Sequence, residues 1–248
     1  MLIASSNLSQ TFRFGENIAI FANKVLDLLG EESQLLGNKN VQTTFNETSA
    51  NAYISRTNAG LLTSLVSLLG DNKKVSIVGG GRDLKKLLLD VAYLKRNQPA
   101  RTPEFYGFKD WNEVLAFASE QEGFHLKSFI NAVQTYGEEE LIKMIEETQA
   151  EDQSDCILTT AHKSKGREWD SVELNLDFAG NWFSEGKILD PEPLHLFYVA
   201  LTRCKTNLNA SSKILNMEFT KSQRSYKSSP QINSVEKPKM PSFMKELD

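Results

Sequence analysis

The 248 residues hold 28 Lys+Arg against 32 Asp+Glu, 40% hydrophobic residues, 14 Gly and 7 Pro. That is enough apolar material for one or two packed domains, and it excludes collagen-like, wholly disordered and disulfide-scaffold chains. Two distant cysteines, Cys156 and Cys204, and three histidines, His125, His162 and His195, populate no conventional zinc motif, so no metal site is expected. Without a run of roughly 18 apolar residues, no membrane span is expected, and the N-terminus lacks the basic start of a secretory leader; an intracellular protein, cytoplasmic or nuclear, is the expectation. Residues 211–248 carry seven Lys/Arg and four Asp/Glu, net +3, which leaves −7 of the total −4 on residues 1–210.

Ile18, Phe21, Ala22, Val25, Leu28 and Leu29 recur at three- and four-residue spacing and predict an amphipathic helix over 15–29, ended at Gly30. Residues 31–50 are polar and turn-rich. A short strand is expected at 52–55, a helix at 59–69, a strand at 75–78, a tight structural turn at Gly79-Gly80-Gly81 and a helix at 83–95. Strand and helix alternate as they do in parallel sheets. Pro99 and Pro103 then break the pattern, and helical periodicity returns at 111–118, 126–133 and 139–147, predicting a small helical insertion over 97–152. Strands resume at 156–159 and 172–174, followed by a helix at 194–201 and a last strand near Leu208. From about Ser211 the Ser/Lys/Pro-rich composition predicts a flexible tail with a possible protein partner.

Two segments concentrate polar chemistry at strand–helix transitions. Thr159-Thr160-Ala161-His162-Lys163-Ser164-Lys165-Gly166-Arg167-Glu168-Trp169-Asp170 gathers cations, a histidine, a glycine and carboxylates just past a strand end, where ligands of open α/β sheets bind. Tyr198-Val199-Ala200-Leu201-Thr202-Arg203 presents one arginine at the end of an apolar run, suited to a phosphate. Taken singly, the residues have plainer readings: Phe12 as core, His162 as a structural histidine, Arg203 as a cation at a helix end, and the lysines as a solvated loop.

In this order the two segments resemble the late motifs of UvrD/Rep/PcrA-like superfamily 1 helicases. Gln10-Thr11-Phe12-Arg13 before a helix, and Ile54-Ser55-Arg56-Thr57-Asn58-Ala59, agree with the same family, and Phe14-Gly15 is similar to its F-box DNA helicase branch. The resemblance covers roughly residues 8–210. It implies an α/β fold, a second RecA-like domain with its parallel sheet flanked by helices, made of residues 1–96 and 153–210 around the insertion. It implies a DNA helicase that hydrolyses ATP and acts in DNA repair. Phe12 would stack on adenine, Arg13 and Arg203 would meet the γ-phosphate, and Lys165, Gly166 and Glu168 would lie beside the ribose and triphosphate. Arg56, Asn58, Thr160 and His162 would contact single-stranded DNA.

The chain departs from the family in lacking the Gly-x-x-x-x-Gly-Lys-[Ser/Thr] phosphate loop and a strand ending in Asp-Glu. The expectation is therefore a C-terminal part of a motor, inactive alone, with Mg²⁺ and most phosphate contacts to ATP supplied by a first RecA-like domain in cis or in trans. Arg167, Cys204 and Pro191/Pro193 also stand where the family has other residue types. Two other readings share the fold: a non-catalytic nucleic-acid- or protein-binding module, and a subunit completing a partner's ATP site.

Overall fold

The computed structural model describes residues 10–120, 122–179, 183–184, 187–188 and 190–215. In chain order they form α1 (Glu16–Leu29), β1 (Thr44–Phe45), β2 (Ala52–Ser55), α2 (Asn58–Gly70), β3 (Val75–Ile77), α3 (Arg82–Leu94), α4 (Trp111–Ser119), α5 (Lys127–Glu146), β4 (Cys156–Thr160), β5 (Trp169–Leu174), β6 (Phe183–Ser184), β7 (Lys187–Ile188), α6 (Glu192–Leu201), β8 (Cys204–Asn209) and α7 (Ser212–Leu215). Six strands pair in parallel in the order β1-β8-β5-β2-β4-β3, while β6 and β7 form a separate antiparallel pair.

Alternation along the strands sends side chains to two cores. Ala52 and Ile54, Val172 and Leu174, and Leu208 face α1 and α6. Cys156 and Leu158, with Val75 and Ile77, face α2, α3, α4 and α5. The helices of 97–152 share this second core, where the Phe105 and Phe129 rings lie 5.7 Å apart. Beyond β2 the same face turns polar: Asn207 Nδ2 donates to Ser171 Oγ (2.8 Å) and to the Thr48 carbonyl (3.1 Å), and burial pushes the Glu173 carboxyl up.

Local signals explain the element ends. Gly30 at φ 80° closes α1, the Thr57 hydroxyl accepts from Gly60 N–H at the start of α2, and Asp110 caps α4 through Asn112 and Glu113 N–H. The helices anticipated at 126–133 and 139–147 are found within α5 on either side of Gly137, whose φ of 73° and ψ of 164° are non-helical and suit glycine. Two expectations change. β1 arises within the polar stretch because Thr44 and Phe45 pair with Asn207 and Leu208. Packed chain also runs past Ser211, since Ile214 of α7 is fully buried; the rest of the anticipated tail, 216–248, lies outside the described residues.

Candidate nucleotide and nucleic-acid sites

The predicted site residues divide between opposite edges of the sheet. At the carboxyl edge Ser55 and Thr160 end β2 and β4 side by side. The chain leaving β2 is held by Asp177 from the turn after β5. Its buried carboxylate accepts from Arg56 N–H (2.9 Å), Thr57 N–H (2.8 Å) and the Thr57 hydroxyl (2.9 Å). Burial pushes this carboxyl up, and the Arg56 and Thr57 hydrogen bonds pull it down. Arg56 Nε also donates to the Asp177 carbonyl (2.9 Å), fixing the side chain at the rim. The backbone and side-chain N–H groups of Asn58 both donate to Glu104 Oε1, at 3.2 and 2.8 Å.

These groups line a cleft of ≈ 560 Å³ that contains all four residues assigned to nucleic acid, Arg56, Asn58, Thr160 and His162, together with His125 and Lys163. The His162 side chain is exposed, with Nε2 3.9 Å from Glu192 Oε1. Burial, and secondarily the Arg56 charge, hold His125 below the usual histidine range. Lys163 pairs with Asp83 at 2.8 Å.

The second group stands at the amino edge, where Trp169 pairs with Cys204 and its N–H donates to the Arg203 carbonyl (3.0 Å). Arg203 Nε donates back to the Val199 carbonyl (3.0 Å) and its Nη2 to Thr202 Oγ1 (3.1 Å), so it does serve the end of α6. Arg13 reaches the same place from the start of the chain: Nε lies 2.6 Å from Glu168 Oε2, and Nη1 donates to the Thr202 carbonyl (3.2 Å). Burial first, and the Arg13 charge second, push Arg203 down to about 10, so it stays charged at neutral pH. Two guanidiniums beside one carboxylate leave a positive excess that favours an incoming polyanion.

Phe12 is 75% exposed, against the reading of it as core, and its carbonyl accepts from Asn38 Nδ2 (3.1 Å). Lys165 and Gly166 are exposed, the glycine at φ 77°. Arg167 makes a double contact to Glu151, at 2.8 and 2.9 Å, and its carbonyl accepts from Arg203 Nη1 (3.4 Å). Among the described residues no group of three or more His, Cys, Asp or Glu is disposed to hold a metal ion.

One connector, residues 161–168, joins the two edges. It leaves β4 at the cleft with His162 and Lys163 and enters β5 at the amino edge with Glu168. Ala161 and Ser164 anchor it, both fully buried, the latter through a Ser164 Oγ bond to the Ala161 carbonyl (2.8 Å).

Residues 107–213 match the family model of the UvrD-like helicase C-terminal domain. Over that stretch the chain resembles a UvrD-like helicase C-terminal domain. Homology extends over most of its length to two F-box DNA helicases. F-box DNA helicase protein 1 of Schizosaccharomyces pombe is 29% identical over 246 residues, covering 86% of this chain and 27% of that protein. F-box DNA helicase 1 of Gallus gallus is 25% identical over 247 residues, covering 84% and 24%. The chain thus spans about a quarter of the length of these curated relatives. The six-stranded all-parallel sheet with helices on both faces is consistent with a RecA-like α/β fold.

Two residues of the sites escape sequence reasoning and a third is only partly legible. Asp177 lies 120 residues from Thr57, which it orients, and only its place in the polar Asn175-Leu176-Asp177 turn after β5 hints at a role. Glu104 belongs to the insertion. Lys163 was legible as one cation of a cluster, but the choice between it and Lys165 as the one in the cleft depends on the turn of the connector.

Proposed function

We propose that this UvrD-like domain is the second motor domain of an ATP-dependent DNA helicase, gripping single-stranded DNA at its carboxyl edge and completing an ATP site at its amino edge. The observation that carries the reading is the connector 161–168, whose two ends belong to the two sites. In this reading the substrate is ATP with Mg²⁺. The metal and most phosphate contacts come from a first RecA-like domain in cis or in trans, so the chain alone does not turn over ATP. The setting is intracellular; among the described residues no helix is long and apolar enough to cross a membrane.

Each residue has a task that its surroundings suit. Phe12 offers its exposed face to adenine. Arg13 and Arg203 stabilise the charge that spreads over the γ-phosphoryl oxygens during transfer, a contribution of about 10³–10⁵ in rate for arginine fingers in general. Arg13 exchanges Glu168 for the phosphate, which frees that carboxylate to meet the ribose hydroxyls beside Lys165 and Gly166. Across the sheet Arg56, Asn58, Thr160 and His162 hold backbone and bases, and closure on nucleotide shifts the balance between tight and loose grips.

The test is ATPase of the chain combined with a phosphate-loop domain. Arg203→Ala is expected to lower turnover by about 10³ while single-stranded DNA binding changes less than about twofold. Unchanged turnover would remove Arg203 from the reaction. DNA binding with no turnover in any combination would favour the binding-module reading.

A further inference from the structure

The cleft carries its own anions. Lys163 Nζ lies 2.8 Å from Asp83 Oδ2, in the first turn of α3. The lysine stem passes over Gly79, where an added Cβ would stand 3.6–3.8 Å from Lys163 Cδ, Cε and Nζ. Gly79 and Gly80, at φ 75° and 76°, form the tight turn that brings α3 to the connector. Asp83 has a second partner on its other oxygen, Lys86 Nζ at 3.4 Å from Oδ1.

We infer that Lys163 is a phosphate-binding residue of this cleft and that Asp83 is its built-in competitor, a carboxylate holding the ammonium where a DNA phosphate would. The inference rests on reading the cleft as the single-stranded DNA site. A lysine ammonium is a compact point charge on a rotatable stem, so it passes from one anion to another without moving the backbone. The pair is only partly shielded, with side chains 31% and 39% exposed, and such pairs are weak enough to be broken by a polyanion that makes several contacts at once. Lys86 keeps the released aspartate paired, so the exchange leaves no stranded charge. Lys163 holds the Asp83 carboxyl below the usual carboxylate range through its hydrogen bond, so the competitor is ionised at neutral pH. Glu192 lines the same cleft, its Oε1 3.9 Å from His162 Nε2. Asp83 therefore sets the affinity of the grip, keeping it loose enough to release DNA between steps.

The experiment measures binding of a fluorescein-labelled oligo-dT by the chain across a salt series, by anisotropy, for the natural sequence, D83N, D83S, K163A and D83N/K163A. Breaking an exposed pair corresponds to about a two- to fivefold change. D83N and D83S are expected to tighten binding by about that factor. K163A is expected to weaken it similarly and to reduce the salt slope by about 0.7, one single-strand phosphate contact. The gain from D83N should vanish in the K163A background, because the carboxylate acts through that lysine. Serine is a second variant suited to a helix start, so a loss of folding in D83N alone does not remove the test. Binding by the natural chain that neither Asp83 variant tightens overturns the inference and leaves the cleft reading standing; so does a gain that persists without Lys163. Absence of binding by the natural chain and by every variant overturns the cleft reading with it.

Discussion

Asp177→Ala tests whether one buried carboxylate organises the carboxyl-edge cleft. Asp177 is 4% exposed and accepts three hydrogen bonds of 2.8–2.9 Å, two from backbone N–H groups of Arg56 and Thr57 and one from the Thr57 hydroxyl. Hydrogen bonds to a charged group contribute about 1.5–3 kcal/mol each, and removing the acceptor strands the backbone donors. Against this, the variant no longer buries an anion, a cost visible in the upward push on the Asp177 carboxyl. The balance is a loss of about 3 kcal/mol, which for a chain of this size is a fall in Tm of about 6–12 °C. Asp177→Asn should be nearly as damaging, because an amide offers one acceptor where both oxygens are used. Urea and thermal denaturation followed by circular dichroism measure the loss, and single-stranded DNA binding measures the misplacement of Arg56. A loss below about 1 kcal/mol, with DNA binding intact, would refute the argument.

Three further outcomes follow from the geometry. Arg13→Ala removes an ion pair whose side chains are 34% and 46% exposed, so stability should change by less than about 1 kcal/mol, while ATPase of the combined motor domains falls by about 10³; a melt and a turnover assay separate the two effects. Gly60→Ala should lower Tm although alanine favours helix, because its Cβ would overlap Asp177 Oδ2; an unchanged or higher Tm would contradict this packing. His125 has a folded pKa below its ordinary 6.5, so the unfolded chain binds the extra proton first, and stability present above pH 6.5 is lost as pH falls through the folded value. His125→Gln should therefore flatten the fall in Tm below pH 6.5, as measured by melts across pH.

The sheet and its principal helices were legible because α1, α2, α3 and β2–β5 carry periodic or continuous apolar runs. β1 was not, since two residues hold no period and Thr44 and Phe45 become a strand only by pairing with β8. The two helical periods at 126–133 and 139–147 were legible as well, and Gly137, at φ 73°, breaks the helix between them. The grouping of Arg13 with Glu168 and Arg203, and of Arg56 with Asn58, Thr160 and His162, came from the family resemblance, and the sheet brings each group to one edge. What local sequence withholds is the partner that arrives from elsewhere in the fold. Asp177 acts on Arg56 and Thr57, Glu104 on Asn58, and Asp83 on Lys163, and none of these carboxylates belongs to the segment it serves.

The connector between β4 and β5 has a mechanical consequence. Parallel strands of one sheet are usually joined by a dozen or more residues that include a helix, whereas β4 and β5, which flank β2, are joined by eight. Here Ser55 is level with Thr160, while Trp169 lies three residues before Val172, the partner of Ala52. The connector must therefore descend about 20 Å of sheet at roughly 3.3 Å per residue. The nine Cα steps from Thr160 to Trp169 span at most about 30 Å when drawn straight. Part of that length is taken up by the turn in which Ser164 N–H bonds to the Thr160 carbonyl. Little slack remains, so the strap is more a tie than a loop: it keeps Glu168 at one edge and His162 and Lys163 at the other within a nearly fixed span.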